Sequence, residues 1–327
     1  MSRLFLGIDT SNYKTSLSII DEKADIVFNR SEYLEVKQGE RGLRQSDAFF
    51  KQSNNLPVFV KEAFAAVNSR DIAAIGASTR PRRVEGSYMP CFLAGHNLAL
   101  ELASALAIPV YEFSHQEGHF AAANLGQSFL DKKVNGDRLG FFHLSGGTTE
   151  FLLCEADDLG YKMDIVGGTK DISFGQLLDR IGVELGYSFP SGMFLDRIAA
   201  KAKTSSSCDI KRLIPKIRID DGNFNLSGIE TKLIRYIKEG HSDEDLHLMI
   251  AELFNRIAIL LHQCAIDLAD KYSIDRIYMA GGVASSQYIR TLIKERDDQS
   301  LIIFGQPELS GDNAVGIAML AREQFMK

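Results

Sequence analysis

One pattern limits what this chain can fold into more than any other, and it occurs twice. Residues 3–9 are apolar, 10–12 form a polar loop, 15–20 alternate, 21–23 make a turn, and 24–28 complete a three-stranded meander. About 130 residues further on the order returns. Residues 139–144 read as a buried strand, Ser145-Gly146-Gly147-Thr148-Thr149 as the loop, 150–154 as a second strand and 161–166 as a third. The order of elements repeats while the residues do not, which predicts a duplicated α/β unit.

Helices and further strands are expected after each meander. The first half reads as an amphipathic helix at 56–67, a strand at 72–79, an apolar helix at 92–106 and a strand at 108–112. The second half reads as a long helix at 245–271, a strand at 274–279, a helix at 285–294 and a strand at 301–304. Asp312 is placed as the N-cap of a last helix over 313–325. Gly/Ser/Asp-rich stretches at 123–137 and 204–221 read as loops, and the first is the expected boundary between lobes 1–130 and 131–327. At 327 residues, two lobes are what the length predicts.

Charge and cysteine usage narrow the class. Lys+Arg 37 against Asp+Glu 43 gives −6, which excludes a global basic field for nucleic acid and leaves room only for a local patch. The longest apolar runs, such as 257–261, fall far short of the ~20 residues of a membrane span. The opening apolar run at 4–8 is shorter than a signal-peptide core. Cys91, Cys154, Cys208 and Cys264 lie far apart, so neither a tetrathiolate zinc site nor a disulfide framework is expected. A cytoplasmic α/β protein with buried thiols is the reading.

Three polar loops follow directly on apolar strands: Asp9-Thr10-Ser11-Asn12, the Ser145 loop, and Gly281-Gly282-Val283-Ala284-Ser285. Ligands of α/β sheets bind outside the carboxyl ends of strands, and glycine lets a phosphate reach the backbone N–H groups. A single such loop reads as a tight turn; three together favour a ligand. No Gly-x-x-x-x-Gly-Lys-Ser/Thr element is present. His115 and His119 stand four apart, which puts both imidazoles on one helix face, either as ligands of one metal ion or as core histidines. Glu117 sits about 200° around the helix from His115, so a zinc-peptidase base is not in place. The Arg80-Pro81-Arg82-Arg83 run reads as a solvated basic turn before a phosphate grip, and His247 and His262 read as structural.

Taken in order, these segments resemble the TsaD family, which makes threonylcarbamoyladenosine in transfer RNA and was formerly described as O-sialoglycoprotein endopeptidase. Gly7-Ile8-Asp9-Thr10-Ser11 is similar to its first strand and loop, and His115-Gln116-Glu117-Gly118-His119 to its His-x-Glu-Gly-His motif. Leu144 through Thr149 resembles Val-Ser-Gly-Gly-His-Thr, and Gly168-Thr169 through Asp179-Arg180 its helix ending in Asp-Lys. Phe189-Pro190-Ser191-Gly192 resembles Tyr-Pro-Gly-Gly, and Phe224-Asn225-Leu226-Ser227-Gly228 resembles Phe-Ser-Phe-Ser-Gly. Ala280 through Ala284 and Gly311-Asp312-Asn313-Ala314 complete the set. The resemblance implies the actin-like ATPase (ASKHA) architecture, two ribonuclease-H-like halves with a ligand cleft between them and the terminal helix, 312–327, returning to that cleft. It implies that Asp312 joins His115 and His119 around one divalent metal, iron or zinc. It also implies a nucleotide, ATP or an acyl-adenylate, on Ser145, Gly146, Gly147, Asp179, Gly192, Asp196 and Ser286.

The chain departs from the family at several polar positions. Tyr13-Lys14 stands where an acidic pair is usual, Thr148 replaces an imidazole, Ile172 the second Asp of a pair, and Ser286 an Asn. The Arg80–Arg83 run replaces a Gly-Pro-Gly turn. The expected function is threonylcarbamoyl transfer to adenosine of tRNA, or a related acyl-adenylate transfer. The alternative is a non-catalytic metal- and nucleotide-binding paralogue that acts through partner proteins of a tRNA-modifying complex. The peptidase reading is set aside for want of a base.

Overall fold

The computed structural model describes residues 3–11, 13–36, 43–123, 138–158, 160–202 and 208–327. In chain order the first half runs β1 (Leu4–Asp9), β2 (Lys14–Asp21), β3 (Ile26–Tyr33), α1 (Gln45–Ala66), β4 (Ile72–Arg80), α2 (Phe92–Leu106), β5 (Val110–Ser114) and α3 (His115–Ala123). There follow β6 (Leu139–Leu144), β7 (Thr149–Asp157), β8 (Gly160–Thr169), α4 (Phe174–Glu184), α5 (Gly192–Lys201), α6 (Cys208–Leu213), β9 (Asn223–Phe224) and α7 (Ser227–Lys238). The chain ends with α8 (Asp243–Tyr272), β10 (Ile277–Ala280), α9 (Gln287–Lys294), β11 (Ile302–Phe304), α10 (Pro307–Ser310) and α11 (Val315–Met326).

The two meanders seed two sheets of the same design. In the first, β3-β2-β1-β4-β5, the meander is antiparallel, and β4 and β5 add in parallel beside β1. In the second, β11-β10-β6-β7-β8-β9, the antiparallel meander β6-β7-β8 carries β10 and β11 in parallel beside β6. Strands β6, β7, β8, β10 and β11 thus occupy the places of β1 to β5, and the duplication expected from the order of elements is the architecture. The short β9 extends the second sheet beyond the shared design.

The central strands β1 and β6 are buried along their whole length, so both faces need cover. On β6, Phe142 and Leu144 enter the core of the second half, while Leu139 and Phe141 face the opposite way. Helix α8 lines that second-half core with Leu253, Phe254, Ile257, Leu261 and Cys264. It is the one described helix long and apolar enough to cross a membrane, and 61% of its most apolar window is buried inside the protein.

Helix α11 returns to the first half and lies against β1 and β4, with Val315 and Ala318 packed beside Phe5 and Ala74. The close approach depends on missing side chains. A Cβ on Gly7 would stand 2.3 Å from the Ala314 carbonyl oxygen, and one on Gly316 would stand 1.9 Å from that of Gly118 in α3. The crossing of α3 and α11 brings the end of the chain against the helix that carries His115 and His119.

Several expectations need correction. The first helix begins at Gln45, eleven residues earlier than its apolar period implies, and runs through Pro57. Helix α11 starts at Val315, and Asp312 does not cap it; the Val315 N–H is taken by Asn313 Oδ1 instead. The 204–221 stretch includes α6, and the 123–137 boundary falls almost wholly outside the described residues.

Candidate metal and nucleotide site

Strand β5 hands directly to α3, so His115 and His119 occupy its first and second turns, one above the other. Their Nε2 atoms are 3.0 Å apart. The Asp312 carboxylate enters from the α10–α11 turn, with Oδ1 3.5 Å from His115 Nε2 and 3.3 Å from His119 Nε2. Its other oxygen accepts the Ser11 hydroxyl at 2.9 Å, and Asp9 Oδ2 holds His115 Nδ1 at 2.6 Å. The polar loop after β1 therefore aims both the imidazole and the carboxylate.

A third imidazole joins them from the other half. His143 of β6 offers a nitrogen that lies within 4.8 Å of those of His115 and His119. Sequence reasoning missed it. The signal was present: an imidazole at a fully buried strand position, on the face of Leu139 and Phe141, is costly without a partner. Neither His143 nitrogen nor His119 Nδ1 has a hydrogen-bond partner among the described residues.

The charges agree with a cluster built for a cation. Burial opposes the His115 imidazolium, yet the Asp9 and Asp312 carboxylates outweigh it and raise the His115 pKa. Burial, reinforced by the His115 charge, lowers His119. Burial and the two neighbouring imidazoles hold His143 well below its usual value, neutral and free to donate a lone pair. Burial disfavours the Asp312 carboxylate, but its contacts with both imidazoles keep it ionised far below the usual range. Bonds of about 2.0–2.1 Å at tetrahedral angles separate ligand atoms by about 3.4 Å. The observed 3.0, 3.3 and 3.5 Å bracket that value, so the donor set fits one divalent ion.

Beside this cluster lies the glycine loop, whose Ser145 follows His143 by two residues. Ser145 Oγ accepts the Thr148 N–H, and Ser173 at the start of α4 donates to the Gly146 carbonyl at 2.6 Å. Beta-carbons added to Gly146, Gly147, Gly192 or Gly282 would meet nothing within 4 Å, and none of the four has positive φ. The fold does not demand glycine there, whereas at Gly281, φ +109°, a Cβ would strike the Leu144 carbonyl oxygen. Four glycines facing open space leave backbone exposed to a ligand.

Asp179 accepts the Ser191 N–H at 2.7 Å and so shapes the turn into α5 at Gly192. Asp196 bonds the Ser286 hydroxyl and the Gln287 and Tyr288 N–H groups, which ties α5 to the start of α9. Both carboxylates brace the loops that carry the open glycines.

The departures from the family pattern all have contacts. The Tyr13 ring meets Phe189 of the second half at 5.3 Å, and Lys14 stands over the Tyr33 ring at 4.9 Å. Ile172 packs on the second core and Ser286 caps α9. The arginine run is not a free basic turn, because carboxylates of the second half stand opposite it. Arg82 pairs with Glu150 at 2.7 Å, and Arg83 with Asp157 at 2.9 Å, so the run clamps the first half to the second. Glu117 is buried against Ser114, whose N–H and hydroxyl it accepts, and faces away from the imidazoles as its helical position predicts. His247 and His262 lie on α8, among none of these groups.

Two sheets of this duplicated order, joined by helices and carrying polar and glycine loops at their strand ends, define the actin-like ATPase class. Solved structures agree at the level of fold. The chain is similar to HypF of T. kodakarensis at TM-score 0.63 and 14% identity, over 99% of this chain and 48% of that one. It is likewise similar to component A of (R)-2-hydroxyglutaryl-CoA dehydratase from Acidaminococcus fermentans, at TM-score 0.53 and 15% identity, over 99% and 100%.

Within that class the chain belongs to the TsaD family, whose profile, tRNA N6-adenosine threonylcarbamoyltransferase, matches residues 32–319. Relatives of that name include the protein of Thermotoga neapolitana, 26% identical over 324 residues, 98% of this chain and 93% of its own. That of Syntrophomonas wolfei is 28% identical over 331 residues, 98% and 92%.

Proposed function

We propose that this chain is a threonylcarbamoyl transferase acting on adenosine of tRNA, with an acyl-adenylate as donor. The observation that carries the reading is the adjacency of two structures: the His115–His119–Asp312 cluster and a glycine loop whose openness the fold does not require. The residues that would hold the cation are His115, His119 and Asp312, with His143 as a fourth donor, and the nitrogen-rich set suits iron(II) or zinc. When bound, that cation supplies Lewis-acid polarisation of an acyl oxygen.

The remaining work falls to the protein. Asp9 fixes the His115 ring so that Nε2 faces the cluster, and Ser11 holds the Asp312 carboxylate in place. Backbone N–H groups at Gly146 and Gly147 take the phosphate of the adenylate, while Ser145, whose own N–H is held by the Thr148 carbonyl at 2.9 Å, closes the loop around it. Asp179, Gly192, Asp196 and Ser286 form the ribose side of the pocket. Lys14, whose pKa burial lowers against the pull of Asp312 and Asp9, stands at the position where the family carries acids. The lobes are 1–130 and 131–327, the protein works in the cytoplasm, and proteins of a tRNA-modifying complex assist it.

Titration of the purified, metal-loaded chain with a non-hydrolysable threonylcarbamoyl-adenylate mimic tests this. Saturable binding, lost in Gly146→Val and weakened in His115→Ala, is expected. A folded, metal-loaded protein that ignores the mimic contradicts the assignment.

A further inference from the structure

An open groove of about 540 Å³ lies outside the site, between the β8–β9 edge, the 215–220 segment and α7. Its lining carries Lys170, Lys216, Arg218 and Lys232 against one carboxylate, Asp220. Among the described residues none of the four cations has an ion-pair partner. In a chain of net charge −6, four exposed cations around one groove, of which Lys170 also feels the nearby Asp221 carboxylate, are a local reversal of sign.

The groove is mechanically tied to the glycine loop. Lys170 donates its N–H to the Phe224 carbonyl, and three residues later Ser173 grips the Gly146 carbonyl. Three residues span at most about 11 Å, so one strand can reach both the loop and the groove. Asp171 fixes the far wall by accepting the N–H groups of Leu226 and Ser227 at the start of α7. The aromatic of the groove, Phe224, is 3% exposed, so no stacking platform is offered. Exposed cations on flexible stems, without a buried donor, suit a run of phosphates more than one enclosed anion.

We infer that this groove docks the phosphate backbone of the tRNA whose adenosine enters the site. The inference rests on the proposed transferase reading, and the test separates the two. The probe is fluorescein-labelled tRNA, its anisotropy followed from low to moderate salt with the full-length chain. The comparison is the triple variant Lys216→Gln, Arg218→Gln, Lys232→Gln. Each lost phosphate contact removes about 0.7–0.9 from the slope of log K against log salt. The triple variant is therefore expected to lose about 2–3 units of slope and about tenfold or more in affinity at low salt. Its unfolding midpoint, metal content and affinity for the adenylate mimic stay at wild-type values.

An unchanged slope and affinity overturns the groove, as does a wild-type chain that binds no tRNA. So does a variant that loses only a mononucleotide. If the wild type takes the mimic but the triple variant holds tRNA normally, the groove fails and the transferase reading stands. If the mimic is ignored while tRNA binding depends on the three cations, the groove stands and the transferase reading fails.

Discussion

Two glycine-to-alanine changes separate what the fold needs from what a ligand needs. In Gly316→Ala the new Cβ would stand 1.9 Å from the Gly118 carbonyl oxygen and 2.9 Å from the Ala122 nitrogen, whereas ordinary contact begins at 3.4 Å. Both close atoms are backbone of α3, so no side chain can rotate away. Relief needs 3.4 − 1.9 = 1.5 Å of helix separation at the crossing that sets Asp312 against His115 and His119. Overpacking of this kind costs about 1–3 kcal/mol or more. In Gly146→Ala the added carbon meets nothing within 4 Å and the backbone is not in the left-handed region, so the fold loses nothing. Urea unfolding followed by circular dichroism reads the contrast. Gly316→Ala is expected to lower the midpoint at constant slope, by about 1–3 kcal/mol or more, and to bind metal poorly. Gly146→Ala is expected to unfold with the wild type and to lose adenylate affinity. A Gly316→Ala protein as stable as the wild type, or a Gly146→Ala protein destabilised by about 1 kcal/mol or more, refutes the reasoning.

Other outcomes follow from the charges. His115 is raised above its ordinary value by Asp9 and Asp312, so in the metal-free protein it carries a proton that a cation must displace. Apparent metal affinity, measured by competition with a chelator, should rise about tenfold per pH unit below the raised His115 pKa; Asp9→Asn should flatten that rise. Asp171 is held at about 2 by its bonds to Ser227, Leu226 and Ile172, although burial opposes it. A depressed carboxyl stabilises the fold above its unfolded value of 3.8 and loses that contribution as pH falls from there toward about 2, so Asp171→Asn should show less acid sensitivity in this window. Burial first, and for Cys91 nearby Asp9 and for Cys264 nearby Asp267, push both thiols up to about 12. Iodoacetamide at pH 8 should therefore leave both intact in the folded protein, and label them once urea exposes them.

The fold was legible because its signal is periodic and local. Strand β6 and helix α2 begin and end at the residues their patterns imply, and the repeated meander announces the duplicated sheets. The start of α1 was hidden because polar residues fill its early turns and Pro57 interrupts the pattern, while Ala48 and Gln52 are buried by tertiary contacts. Of the candidate site, the spacing of His115 and His119 could be read because four residues make a helical turn. Asp312 came with the family motif, but its sequence reading as a helix cap failed, since the carboxylate is spent on two imidazoles instead. The partnership of Asp9 with His115 was not legible, because residues far apart in the chain meet only through packing, and His143 carried only the weak signal of an imidazole on a buried strand. The interlobe pairs of Arg82 and Arg83 escaped for the same reason: a basic run looks identical in sequence whether water or carboxylates lie opposite.

Metal content after anaerobic purification and reloading with iron(II) or zinc addresses the cluster without reference to any substrate. One divalent ion per wild-type chain is expected, falling to near zero in a His119→Ala, Asp312→Ala double variant that keeps the wild-type circular dichroism spectrum. A folded wild-type chain that takes up no ion, or a double variant that retains a full equivalent, contradicts the account.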